Sequence, residues 1–247
     1  MAPLKQAFED RLEEIETYLD LLEAIERLVR DGPPRIGETP ITVQQQKILY
    51  SSVYLQLYNL VEATLTWCME AVASVTSDGG GWLPRDLSDH VHREWVRTIA
   101  RTHMDLNEDN RLKSAVEMCD RLIQALPVVA WTMDRRGAGS WDDDQIEAVT
   151  ARLGCELRIS ADVYSRIKRK IRDDKPPLVL IKDIRNRLAH GSLSFGECGD
   201  GHTVVDLREI KQRTALYLRE VIAAFQSYLD THEFLVPARR PPASVEI

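Results

Sequence analysis

Long stretches without glycine or proline, each closed by a firm stop, constrain this chain most. Glycine and proline are sparse between about residues 45 and 75 and again after 210. Both residues break helices, one through backbone entropy and one through its missing N–H, so long helices are expected there. Over about residues 4–30, Phe8, Leu12, Ile15, Leu19, Leu22 and Val29 follow alternating steps of four and three, with one step of seven. Such a seam packs on another long helix, in the same or a second subunit. Asp31-Gly-Pro-Pro34 stops it. A second helix is expected over about 42–76, with Leu55, Tyr58, Val61, Leu65 and Met69 on one stripe and Ser77-Asp-Gly-Gly-Gly81 at its end.

From about residue 82 to 172 the pattern is more broken and reads as a helical insertion. Helices are expected near 88–102, 110–126 and 142–153, with a short one near 161–171 and a loop at Arg135-Arg-Gly-Ala-Gly-Ser140. Asp142-Asp-Asp144 invites a metal-site reading, but acidic residues in a first turn interact well with the positive helix end, so no metal is expected. Trp67, Trp82, Trp95, Trp131 and Trp141 are expected in the core or an interface, not as a base-stacking platform. Asp173-Asp-Lys-Pro-Pro177 breaks the chain before a helix over 178–190 with Ile181, Ile184 and Leu188 inward. After Gly191, Ser192-Leu-Ser-Phe195 and Thr203-Val-Val205 flank a glycine-rich segment and read as a small β-hairpin. A last helix over 207–231 turns Leu207, Ile210, Leu218, Val221, Phe225 and Tyr228 inward. The fold class is therefore mainly all-α, one domain over 1–236 with a flexible tail at 237–247.

Composition narrows the function classes. Hydrophobic residues make up 44% and charged ones 29% of 247 residues, as in ordinary soluble globular proteins. Cys68, Cys119, Cys155 and Cys198 lie far apart, which disfavours a zinc site or a disulfide framework and fits a reduced, cytoplasmic setting. The N-terminus lacks a signal-peptide apolar run, and no segment reaches the length of a membrane span. A net charge of −7 argues against a protein coated with nucleic acid. The block Arg166-Ile-Lys-Arg-Lys-Ile-Arg172 suits a small local RNA contact, although a charge run alone is more often a solvated helix face.

The chemistry concentrates in Asp183-Ile-Arg-Asn-Arg-Leu-Ala-His190-Gly191. Arginine holds phosphate through a rigid fork of donors, and histidine shuttles protons near neutral pH. Together they suit phosphodiester cleavage without a metal or cofactor. The bare spacing is weak, because Arg85–His90, Arg85–His92 and Arg97–His103 fit a loose form of it. Asn186 and His190 are one turn apart, so the amide is placed to orient the imidazole. Arg185 and His190 lie roughly 140° apart around an ideal helix, so a cleft that receives both needs a second element or a symmetry-related copy. The plainer alternative is a helix end in which His190 satisfies terminal carbonyls and Arg185 sits in a salt bridge.

Arg185-Asn-x-Leu-Ala-His-Gly191, followed by Ser192-x-Ser-Phe195, a glycine-rich segment and Asp206-Leu opening the last helix, resembles the prokaryotic HEPN superfamily, its MAE-type branch in particular. Leu57-Tyr-Asn-Leu-Val-Glu-Ala63 is similar to that branch's second signature, and the segment from Trp141 to Gly154 is similar to its middle segment. The resemblance implies a helical bundle that dimerises, with Arg-x4-His helices of both subunits lining one cleft. It implies a metal-independent endoribonuclease, toxin-like or defence-associated, in which the RNA 2′-hydroxyl attacks the adjacent phosphate. Carried over, His190 is the acid/base, Arg185 stabilises the phosphate and Asn186 orients the histidine. Asn59 and Glu62 complete the polar wall, or serve as buried polar groups that keep two helices in register. Arg187 adds a cation for RNA or faces solvent. The implied partners are RNA, a second copy and a cognate antitoxin or defence protein. The tyrosine that follows the histidine in some HEPN toxins is missing from Gly191-Ser-Leu-Ser-Phe195, so modification there is not implied. The alternatives are a non-catalytic HEPN dimer that binds RNA, nucleotide or a partner protein, and a structural adaptor built on the Phe8–Val29 seam.

Overall fold

The structure, a computed structural model, describes residues 2–29, 32–78, 80–102, 104–133 and 141–242. The loop expected at Arg135–Ser140 lies outside these residues, as do Arg30, Asp31, Gly79, His103 and the last five positions of the expected tail. Among the described residues the fold is mainly α, with one small two-stranded sheet.

Two long helices, α1 (Ala2–Val29) and α2 (Val43–Asp78), are joined by the strands β1 (Arg35–Ile36) and β2 (Thr39–Pro40). The strands pair antiparallel, Arg35 with Pro40 and Ile36 with Thr39, around Gly37 at φ +58°. The expected insertion supplies α3 (Asp89–Ile99), α4 (Glu108–Ile123), α5 (Asp143–Leu153) and α6 (Ala161–Lys168). Then come α7 (Pro177–Ala189), the single-turn α8 (Phe195–Cys198) and the long α9 (Val204–Asp230). The starts are written locally. Ser88, Asn107, Asp142, Ser160, Ser194 and Thr203 each accept a backbone N–H from the first turn they cap. Asp142 is thus a helix cap, as its place before the first turn indicated.

Helix α2 is the hub and packs against α1, α7, α8 and α9, while α9 also covers α1, α6 and α7. The α1 seam is satisfied inside the chain, since Phe8, Leu12, Ile15, Leu19 and Leu22 are all buried. The step of seven to Val29 is wrong. Ile25, three residues after Leu22, takes the inward place and Val29 is exposed. Each such aliphatic side chain contributes about 1.5–3 kcal/mol by burial. Ion pairs flank the same contact. Arg208 of α9 bonds to Glu16, Asp20 and Glu23 of α1, Lys211 bonds to Glu16, and Arg219 holds Glu9 through two hydrogen bonds of 2.9 and 2.8 Å. Among the described residues no helix is long and apolar enough to cross a membrane.

The β-hairpin expected after the Arg-x4-His helix is not there. Ser194 and Glu197 form a reciprocal capping box that opens α8, and Thr203 and Asp206 form another that opens α9. These polar side chains satisfy helix-start N–H groups, which outweighs the short apolar alternation of Ser192–Phe195. Glycine permits the tight seat of this segment on α2: a Cβ at Gly199 would stand 2.0 Å from the Lys47 carbonyl oxygen. The start of the expected tail is also tied down. The Val236 N–H donates to the Asp86 carbonyl at 2.9 Å, Pro237–Arg239 form a 3-10 turn, and Arg239 Nε bonds to Asp86 Oδ1 at 2.9 Å.

Candidate active site on α7

Two prolines set the start of α7. Pro176 is its N-cap and Pro177 its first residue, where the missing N–H costs nothing. Leu178, Leu180, Ile181, Ile184 and Leu188 are buried. The other end is closed by a Schellman arrangement. The Gly191 N–H donates to Leu188 O at 3.2 Å and the Ser192 N–H to Arg187 O at 3.0 Å, with Gly191 at φ +70°. His190 is the C-cap residue, and its ring is exposed at the rim of the bundle. Among the described residues no side-chain hydrogen bond holds it.

Arg185 is half-buried at the border of the core stripe, as its spacing from Ile181 indicates. Its guanidinium carbon stands 4.4 Å from the centroid of the Tyr58 ring, a cation–π contact. Its Nη1 donates to Asn186 Oδ1 at 3.1 Å. The amide oxygen is therefore engaged with the arginine; the His190 N–H donates to the Asn186 backbone carbonyl at 2.9 Å, but among the described residues no side-chain hydrogen bond joins Asn186 to the imidazole. Within one chain, Asn186 orients Arg185.

Tyr58 is fully buried and accepts from the Trp141 N–H at 3.5 Å. Burial raises its phenol pKa; the Trp141 hydrogen bond lowers it, Glu62 raises it, Arg185 lowers it and Asp142 raises it. Those same neighbours gather Glu62 of α2, Arg185 of α7 and Asp142 before α5 around one ring. Lys182, one turn before Asn186, pairs with Asp142 and ties this face of α7 to the start of α5. Next to it, Lys168 Nζ pairs with Asp143 and Asp144. Burial opposes the Lys168 charge, but the Asp143 and Asp144 hydrogen bonds outweigh it and hold the ammonium well above its usual range.

The remaining expected site residues spread out. Glu62 is half-buried beside Tyr58, whereas Asn59 is exposed, so Asn59 is not a buried register group. Arg187 is exposed on the far flank, 3.7 Å from Asp183, which also takes Lys175 at 2.8 Å. The basic block at Arg166–Arg172 is largely occupied. Arg166 pairs with Asp162 and Lys170 with Asp174, while Arg172 donates to the Asp200 and Gly201 carbonyls at 3.0 and 3.2 Å. That is a solvated, internally paired face, not an open phosphate track. Tyr58 and the Lys182–Asp142 pair are the contributors that sequence reasoning missed. The signal for Tyr58 was a hydroxyl-bearing ring in an otherwise aliphatic stripe.

A bundle of long helices that presents an arginine, an amide and a histidine on the outer face of one inner helix is the class these features define. The family model for HEPN_MAE_28990-like HEPN matches residues 1–234, and the chain belongs to that MAE-type HEPN family. No curated protein and no solved structure matches it.

Proposed function

We propose that the chain is a metal-independent endoribonuclease that works as a homodimer, the toxin or effector of a bacterial toxin–antitoxin or anti-phage defence system. One observation carries this reading. Half-buried Asn186 lies beside Arg185 on the polar face of α7, next to the Lys182–Asp142 pair, and the exposed His190 ring, held by no side-chain hydrogen bond among the described residues, stands at the end of that face. A second copy of α7 laid across this face closes the cleft that Arg185 and His190 do not close alone. The RNA 2′-hydroxyl attacks the adjacent phosphorus and the 5′-oxygen leaves. His190 takes or returns the proton, and Arg185 neutralises the phosphate charge. Glu62 and Asn59 line the α2 side, and Arg187 offers a further contact at the edge. Tyr58 holds the guanidinium from beneath, and Asn186 fixes its in-plane direction.

The test is induction of wild type, His190→Ala and Arg185→Ala in cells, with RNA ends mapped and growth followed. Both variants are expected to keep the fold and lose cleavage and growth arrest. Cleavage that survives both changes, or that EDTA abolishes, overturns the mechanism. A second reading, a HEPN module that binds RNA, nucleotide or a partner without cutting, draws on the engaged state of Arg185 and on the internally paired basic block. Purified protein that binds long RNA and leaves it intact favours that reading.

A further inference from the structure

Helix α4 stands apart from the rest of the bundle. Of its sixteen residues, Ser114 alone is fully buried, and its packing is against α3. Along its outer side Leu112, Val116, Cys119 and Ile123 follow steps of four, three and four, the spacing of a two-helix seam. They are exposed, Leu112 by 65%, Val116 by 50% and Ile123 by 81%. In heptad terms these are d, a, d and a, which puts buried Ser114 at f, on the side opposite the seam. The apolar stripe therefore faces directly away from the molecule.

The residues that flank the stripe select its occupant. One flank carries Lys113 and Asp120, the other Ala115 and Leu122, the last 46% exposed. In an antiparallel pair of identical helices, equivalent flanks meet across a twofold axis. Lys113 then meets Asp120 of the second copy, and Asp120 meets Lys113. On the other flank Ala115 meets Leu122, small against large. Within the seam Leu112 layers on Ile123 and Val116 on Cys119. A parallel pair would instead set Asp120 against Ala115 and leave Leu122 without an apolar neighbour. We infer that α4 is a self-association surface, which pairs antiparallel with α4 of a second copy of this chain.

This contact is separate from the α7 pairing. Helix α4 packs on α3, whereas α7 packs on α2, α6 and α9. Two helices of this length bury less than a standard interface, so the association is reversible and sensitive to concentration.

Sedimentation velocity of the full chain across a concentration series tests it. Wild type is expected to show a mass doubling that Ile123→Glu removes. Lys113→Asp and Asp120→Lys each place like charges across the axis twice and weaken the step by roughly tenfold. The double swap restores it. Since all three positions are exposed, circular dichroism melts stay unchanged. His190→Ala keeps the step while cleavage is lost, so failure of the proposed activity and failure of the α4 pairing are told apart. Four results would overturn the inference: no concentration-dependent step in wild type, a step that persists in Ile123→Glu, a silent Asp120→Lys, or a double swap no better than the single changes.

Discussion

Lowering the pH from ~7.5 to ~5 is expected to destabilise the protein through His202. Its side chain is buried in front of α9 against Tyr54, whose hydroxyl stands 3.4 Å from Nε2 and 3.5 Å from Nδ1, with the rings edge to face at 5.3 Å. Burial, and after it the charge of Arg172, push the imidazole down to about 4; Asp206 and Asp173 pull the other way without restoring it. In the unfolded chain the same ring titrates near 6.5. Between these values the unfolded state binds a proton that the folded state refuses. The stability is therefore full above pH ~6.5 and declines as the pH falls, levelling off below ~4 at a loss of about 3 kcal/mol. At pH ~5 the loss relative to pH ~7.5 is about 2 kcal/mol. His202→Gln removes the proton site and keeps a hydrogen-bonding group beside Tyr54. Urea unfolding of both proteins at the two pH values is expected to show a wild-type loss about 2 kcal/mol larger than that of the variant. His92, also depressed first by burial, is common to both and cancels. Equal losses, or an imidazole proton resonance of His202 that titrates near 6.5 in the folded protein, would refute the reasoning.

Two further expectations concern packing. Glu94 is buried and is shared by Arg152, at 3.2 and 2.6 Å, and by Arg97. Its removal takes the common acceptor from two cations that are about a quarter exposed, so Glu94→Ala is expected to cost about 2–3 kcal/mol, less than the loss at a fully buried pair. Chemical denaturation checks this, and a change within experimental error would dismiss the triad as a structural element. Gly191 and Gly199 form a contrasting pair. At Gly191 a Cβ meets nothing within 4 Å, so Gly191→Ala costs only its left-handed backbone, about 1 kcal/mol. At Gly199 the Lys47 carbonyl is in the way, so Gly199→Ala is expected to cost about 2–3 kcal/mol as α2 shifts. Melting temperatures in the reverse order would show that α8 does not seat as described.

Much of the helical skeleton was legible because its signals are local. Glycine-free amphipathic stretches gave α1, α2 and α9, and the Asp-Lys-Pro-Pro stop placed the start of α7 within a residue. The α8 region misled because alternating residues such as Ser-Leu-Ser-Phe carry a strand period over only four positions, while Ser194 and Thr203 were already capping helices with Glu197 and Asp206. At the candidate site, Arg185, Asn186 and His190 were legible as a group, but their pairing was not. The i,i+4 rule joins Asn186 to His190, whereas the folded chain brings Tyr58 beneath Arg185 and leaves Asn186 closer in function to the guanidinium. That choice depends on α2, more than a hundred residues upstream, and no local spacing reports it. The seam on α1 and the seam on α4 look alike as sequence; only packing shows that one is covered and the other is not.

The ion pairs between α1 and α9 also set an order of events during synthesis. Glu23 meets Arg208 across 185 residues of chain, and Glu9 meets Arg219 across 210. Helix α1 leaves the ribosome well before α9, with an acidic flank and an apolar seam one of whose walls is still to be made. Helix α7 waits as well, since one of its packing partners, α9, follows it in the chain. Contacts of this range are slow to form, so the growing chain carries the His190 helix before its support is complete. Helix α9 acts as a closing clasp: ribosome-bound chains stalled before Val204 are expected to be protease-sensitive in both α1 and α7, and extension past Asp230 protects the two together.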